Sequence, residues 1–229
     1  MISTFQIQRR APGSSAWRVL FWWSILVRLL GWMFIVVYGY RRHGVDKIPK
    51  TGPLLVVSNH QSHFDSPLVG SLMLDRPFKS IARDSLFSSR FLGFLMRGFG
   101  AISIRRGESD TTAIRGAIKE LKRGGSVMLY PEGARSPDGQ IKEFQRGVWM
   151  LIRRGNAMVI PVAVEGTFDI WPIGGKLKLT GKVETAAGDP IPSQDLVDLG
   201  EEAGMALLKS KIESLRLMCR NNIDRRLKK

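Results

Sequence analysis

The feature that most constrains this chain is a stretch near its start, Trp17 to Tyr40 (WRVLFWWSILVRLLGWMFIVVYGY), which holds one charge, Arg28, between Val19 and Tyr40. Surface this apolar must be covered by protein or by lipid. About 20 such residues can cross a bilayer as a helix. Three details favour another arrangement. Arg28 lies near the middle, where a charge is costly. Trp22, Trp23 and Trp32 are spread along the stretch, and Trp prefers the membrane interface. Basic residues flank both ends, Arg9, Arg10 and Arg18 before and Arg41, Arg42 and Lys47 after, so charge sets no orientation. A helix or helical hairpin lying in one leaflet satisfies all three. A true span and a buried core helix are the alternatives. No small-residue cleavage site follows, so a cleaved signal peptide is not expected.

From Gly44 onward the pattern changes. Short apolar runs, Leu54–Ser58, Phe78–Ala82, Ala101–Arg105, Ser126–Tyr130 and Met158–Val164, alternate with helical segments at Phe64–Leu74, Leu86–Phe99, Thr111–Arg123 and Gly147–Arg154. Runs apolar on successive residues suit strands buried on both faces, and alternation with helices implies an α/β fold with a mainly parallel central sheet flanked by helices. Lys176–Val183 alternates as an edge strand would, and Leu199–Leu227 reads as a basic amphipathic helix. The expected organisation is therefore a membrane-anchoring segment, residues 1–43, and an α/β domain, residues 44–229.

Composition narrows the function classes. At 44% hydrophobic and 24% charged, the chain is neither mainly disordered nor a polytopic membrane protein. One cysteine, Cys219, leaves no internal disulfide and no Cys-based zinc site. Lys and Arg number 35 against 20 Asp and Glu, a net charge of +15, which points to a polyanionic partner. Nucleic acid would fit the charge but leaves the Trp-rich segment unexplained, so none is expected.

Ligands of open α/β sheets bind beyond the carboxyl ends of the strands. After LLVVS comes Asn59-His60-Gln61-Ser62-His63-Phe64-Asp65. After AISIR comes Arg106. After SVMLY comes Pro131-Glu132-Gly133-Ala134-Arg135-Ser136. If His60 ends the strand and Asp65 lies in the first helical turn, the carboxylate reaches back to the ring. It then fixes the tautomer and leaves the other nitrogen as a base. That is the His–Asp half of a hydrolase triad without its serine, so the nucleophile would be a substrate alcohol. A loop decorated by two polar residues is the plainer alternative, and His60, His63 and Asp65 could also be read as metal ligands. Arg135 can fork onto phosphate oxygens, while Glu132 could position it or bind a substrate hydroxyl.

Together these segments resemble the glycerolipid acyltransferase family, in particular its bacterial 1-acylglycerol-3-phosphate acyltransferase type. NHQSHFD is similar to the family's NHxxxxD motif. GAISIRR (Gly100–Arg106) resembles the second motif, PEGARS the third, usually written EGTRS, and Ile160-Pro161-Val162 the fourth. All four stand in the family's order, and the resemblance covers roughly Gly44 to Leu179. Ala134 replaces the usual threonine, Ser103 and Arg105 replace the usual aromatic and acidic residues, and Arg83 stands where members often carry a lysine.

The resemblance implies that His60, oriented by Asp65, deprotonates the free hydroxyl of lysophosphatidic acid, which attacks an acyl thioester directly, with no acyl-enzyme, metal or cofactor. Phosphatidic acid would be the product, in phospholipid biosynthesis. Backbone N–H groups near a helix start would stabilise the oxyanion. Arg106, Glu132, Gly133, Arg135 and Arg83 would form the phosphate site, supported by Asn59 and Ser136. The donor would be acyl-coenzyme A or acyl-carrier protein, both acidic. The partners would be a lysophospholipid, that donor and an anionic membrane surface, at the cytoplasmic face of the inner membrane. Another lysolipid head group, such as a lyso-ornithine lipid, is the near alternative, and a hydrolase using His60 on water a further one.

Overall fold

The computed structural model describes residues 4–104 and 111–228. Its sheet has eight strands among the described residues: β1 (Arg41–His43), β2 (Leu54–Ser58), β3 (Lys79–Arg83), β4 (Ile102–Ile104), β5 (Ser126–Leu129), β6 (Met158–Glu165), β7 (Glu184–Ala187) and β8 (Ile191–Pro192). The order is β1-β7-β6-β2-β5-β3-β4, with β8 on β6. The run from β6 to β4 is parallel throughout, while β7 and β8 pair antiparallel with β6. The expected mainly parallel α/β sheet is what forms.

Both faces of the sheet are covered, which explains the continuous apolar runs. Successive residues of a strand point to opposite faces. Leu54 and Val56 accordingly join one core with Leu68, Leu72, Met128, Ile160 and Val162. Leu55 and Val57 join the other with Leu121, Val127, Leu151, Ile152 and Leu208.

The helices are α1 (Thr4–Arg10), α2 (Ala16–Arg18), α3 (Val27–Tyr38), α4 (Asp65–Leu72), α5 (Ser85–Ser88), α6 (Arg90–Phe99), α7 (Thr111–Lys122), α8 (Arg146–Gly155), α9 (Thr167–Ile170), α10 (Ser193–Asp198) and α11 (Glu201–Leu227). A π-helical stretch, Val19–Leu26, joins α2 to α3, so residues Ala16–Tyr38 form one rod. By length and composition this rod could cross a membrane. It lies along the sheet domain. Trp23 meets Phe78 edge-on, Phe34 meets Phe64, and the Tyr38 hydroxyl donates to the Lys178 carbonyl at 3.0 Å. Burying side chains such as Val27 and Phe34 contributes about 1.5–3 kcal/mol each. The opposite face, including Phe21, Leu29, Trp32 and Val36, is exposed.

Two expected elements differ. Lys176–Val183 is not an edge strand: it runs as an irregular, mostly exposed segment, and the strand follows at Glu184–Ala187. Gly181 has a φ of 135°, a conformation that breaks an extended run. Leu86–Phe99 is not one helix, because Ser89 is extended between α5 and α6. Cys219 is buried in α11, and burial pushes its thiol up.

Candidate active site

The site forms where β2 ends. Asn59 fixes that end by a reciprocal clasp on β6: its Nδ2 donates to the Val164 carbonyl at 2.9 Å, and its Oδ1 accepts the Val164 N–H at 2.9 Å. The chain then turns through residues 60–64 before α4 begins at Asp65. Asp65 is fully buried, and its Oδ2 accepts the N–H groups of Gln61 at 2.6 Å and Ser62 at 2.7 Å. The carboxylate thus satisfies the donors of the very turn that presents His60.

His60 Nδ1 lies 2.8 Å from the same Oδ2. That oxygen already accepts two N–H groups, so it meets the ring as an acceptor and Nδ1 carries the proton. Nε2 is left with a lone pair, the arrangement a general base requires. Asp65 Oδ1 accepts the Thr167 hydroxyl at 2.7 Å, and Thr167 itself is buried. The geometry expected of residues five apart is therefore realised, with β2 and α4 holding the two ends.

Tyr130 lies flat against the imidazole, ring centroids 3.8 Å apart and planes within 8°. Its hydroxyl is paired with Ser66 Oγ at 2.9 Å. Burial, and then the Asp65 charge, push the Tyr130 phenol well above its ordinary range, so it stays neutral. The ring of His60 is thereby fixed in plane as well as in tautomer.

The loop after β5 closes over this end. Glu132 is buried, its Oε1 accepting the His60 N–H at 2.9 Å and its Oε2 the Lys142 N–H at 3.1 Å. Burial raises its pKa, and the two backbone N–H groups oppose that rise. Glu132 was expected among the phosphate ligands; the structure places its carboxylate beneath the site, tying the loop to His60. Ser136 acts similarly, its N–H donating to the His60 carbonyl at 2.8 Å and its hydroxyl to Asp138 at 2.7 Å. Gly133 has a φ of 72°, and a Cβ there would press on Gln145 at 3.2 Å. The glycine lets the loop bend sharply at this point.

Arg135 reaches the same mouth, where its Nη1 donates to His63 Nε2. Burial, then the charge of Arg135, lower the His63 pKa, which keeps its ring a neutral acceptor. His63 is therefore committed to Arg135, and Asp65 to four hydrogen bonds. Among the described residues no group of three or more His, Cys, Asp or Glu is arranged to hold a metal. Arg83 ends β3 on the same carboxyl edge of the sheet, and Arg106 lies outside the described residues.

Three N–H groups ahead of α4 are engaged within the turn: His60 by Glu132, and Gln61 and Ser62 by Asp65. Two site residues escaped the sequence reading, Tyr130 and Thr167. Both had a usable signal. Tyr130 is the last residue of its apolar run, and Thr167 follows β6 as the other motifs follow β2 and β5.

Known proteins resemble this chain in both sequence and fold. A family model described as Acyltransferase matches residues 39–165, more than half of the chain. The chain is 29% identical over 186 residues to the 1-acyl-sn-glycerol-3-phosphate acyltransferase LPAT1, chloroplastic, of Arabidopsis thaliana, covering 78% of this chain and 52% of that protein. It is 28% identical over 174 residues to the lyso-ornithine lipid O-acyltransferase of Pseudomonas aeruginosa, covering 68% and 66%. The crystal structure of the 1-acyl-sn-glycerophosphate acyltransferase PlsC of Thermotoga maritima superposes with a TM-score of 0.68 at 24% identity, covering 86% of this chain and 79% of that one, a likeness of fold. The chain spans about half the length of the curated relatives it matches, as the 52% coverage of the Arabidopsis protein shows. The match over residues 39–165 takes in the His60–Asp65 pair, the loop above it and β6, and on it the chain belongs to the acyltransferase family.

Proposed function

We propose that this protein moves a fatty acyl group from a thioester donor to the free hydroxyl of lysophosphatidic acid, giving phosphatidic acid. The observation that carries this reading is the His60–Asp65 pair, with Nε2 left as an acceptor beside an arginine-bearing loop. His60 Nε2 takes the hydroxyl proton as the oxygen attacks the thioester carbon. The tetrahedral intermediate collapses with loss of thiolate, and the imidazolium returns the proton to sulfur. Ester and thiol replace alcohol and thioester, with no acyl-enzyme and no cofactor in the balance. Asp65 stabilises the imidazolium and holds the tautomer.

Arg135 binds the lysolipid phosphate, with Arg106 and Arg83 as further ligands. Glu132, Asn59 and Ser136 position the loop and His60. The exposed face of the Ala16–Tyr38 rod rests in one leaflet, because the other face is committed to the sheet domain along its length. Residues 1–43 thus hold the anchor of an acyltransferase domain, residues 44–229, and their last three residues, as β1, join its sheet. The cytoplasmic leaflet is the side on which acyl-coenzyme A and acyl-carrier protein are met.

The test is acyl transfer by purified protein in lipid, using labelled lysophosphatidic acid with each donor separately. Phosphatidic acid formed by the native chain and lost in His60→Ala supports the reading. The acceptor is the point that sequence similarity leaves to experiment, since relatives of nearly equal identity carry lysophosphatidate and lyso-ornithine names. Product from lyso-ornithine lipid and none from lysophosphatidate would replace the acceptor and keep the chemistry. Fatty acid released without any acceptor would make the protein a hydrolase.

A further inference from the structure

The rod and α4 cross where both are thinnest. A Cβ at Gly31 would meet the Ser71 hydroxyl and press on the Ser71 Cβ at 3.3 Å, so the glycine lets the two helices approach closely. Beside the crossing a groove of ≈ 460 Å³ opens on the exposed side of the rod. That is the size of a small-ligand site. Ile25, Leu29, Trp32 and Ile35 line it as a helical stripe, and Arg28 and Arg42 reach it from α3 and β1. The lining is thus apolar with a few converging polar groups.

Three observations bear on the occupant. First, Ser24 Oγ is buried in this lining with no hydrogen-bond partner. A buried hydroxyl of this kind is costly unless something binds it. Second, both charges of the lining are guanidiniums. Arg42 spends one Nη on the Ser71 carbonyl at 2.8 Å, and Arg28 meets Asp75 only at 3.5 Å, with both side chains about 40% exposed. Third, the groove opens among Leu29, Trp32 and Ile35, part of the exposed apolar face that the proposed leaflet contact would cover. A charge at that depth is stabilised by an anion brought with the lipid.

We infer that this groove binds one anionic phospholipid of the bilayer, its acyl chain along Ile25, Leu29, Trp32 and Ile35 and its phosphate between Arg28 and Arg42. The inference rests on the leaflet contact proposed above and goes beyond it, to a discrete lipid site apart from the His60 centre. It explains why an arginine interrupts the middle of the apolar stretch.

The test is binding of the full chain to phosphatidylcholine vesicles with and without phosphatidylglycerol, by co-sedimentation. The native chain should bind the phosphatidylglycerol vesicles about tenfold or more tightly, since each basic residue near an anionic surface is worth about 1 kcal/mol. Arg28→Gln/Arg42→Gln should lose most of that preference and keep its binding to phosphatidylcholine. Because Arg42 also braces α4, Arg28→Gln alone should lose part of it. Arg153→Gln/Arg154→Gln, on the exposed end of α8, removes the same charge and should keep the preference. Equal losses in the two double variants, or a full preference in Arg28→Gln/Arg42→Gln, would overturn the site. Transfer by these variants from donor to short-chain lysophosphatidic acid in solution should be unchanged, so loss of the lipid preference and loss of catalysis are separately read.

Discussion

Thr167 gives its hydroxyl hydrogen to Asp65 Oδ1 at 2.7 Å, across 102 residues of sequence, and both side chains are fully buried. The relationship links β6 to the general base. Gly166, in the left-handed region at φ 88°, turns the chain directly after β6, and a Cβ there would strike the Lys182 carbonyl. Glu165, one residue earlier, is paired with Arg216 at 2.7 Å and with Arg220, both on α11. The orientation of Asp65 therefore depends on the carboxyl end of β6 and on the helix that clamps it.

Thr167→Val should lower kcat about tenfold and leave KM for the lysolipid nearly unchanged. A hydrogen bond to a buried charge contributes about 1.5–3 kcal/mol. Thr167→Ser restores the hydroxyl and should restore most of the rate. Steady-state kinetics of the two variants decide the matter; equal loss in both would mean that the methyl group, not the hydroxyl, matters.

Asp65→Asn should be far more severe. An amide cannot accept from Gln61 N–H, Ser62 N–H and His60 Nδ1–H with the same oxygen pair while also accepting from Thr167. The ring then loses its enforced tautomer, and by analogy with a hydrolase triad kcat should fall on the order of 10⁴-fold. Measured transfer with a folded variant checks this, and folding is read separately by thermal unfolding.

His63 supplies a pH prediction. Its folded pKa is lowered from 6.5, first by burial and then by Arg135. Below that value the unfolded chain takes up a proton that the folded chain resists. Stability is therefore full above pH 6.5 and falls as the pH drops through the window between 6.5 and the lower folded value. The ring is largely exposed, so the effect should be small, below about 1 kcal/mol. Melting temperatures from pH 7.5 down to 5 should show a shallower acid decline in His63→Gln than in the native protein.

Arg226 ties three parts of the chain together. Its Nη1 meets buried Glu184 at 2.7 Å, and its Nη2 caps the Gly39 carbonyl at the end of α3. Arg226→Met leaves Glu184, among the described residues, with His43 at 2.8 Å and Asn222 at 3.2 Å. Breaking a buried pair costs about 3–5 kcal/mol, with His43 and Asn222 holding the loss to the lower end. Denaturant unfolding should show this loss.

The amino-acid sequence alone determined the α/β class, the parallel strands and the placing of His60, Asp65 and Arg135. Strands buried on both faces must be apolar at successive positions, so LLVVS, SVML and MVIPVAV are legible without partners. The chemistry stands directly after them because parallel strands deliver their carboxyl ends to one edge. Tertiary structure alone decided what those residues touch. β7 reads ETAA and carries no strand signal, because its Glu184 and Thr185 are buried against Arg226 and Tyr40, partners on distant segments. The Lys176–Val183 alternation had the period of a strand but lies mostly exposed and irregular. Sequence places Tyr130 and Thr167 just after strands, but the sheet order, with β2 between β5 and β6, is what brings one onto the His60 ring and the other onto Asp65.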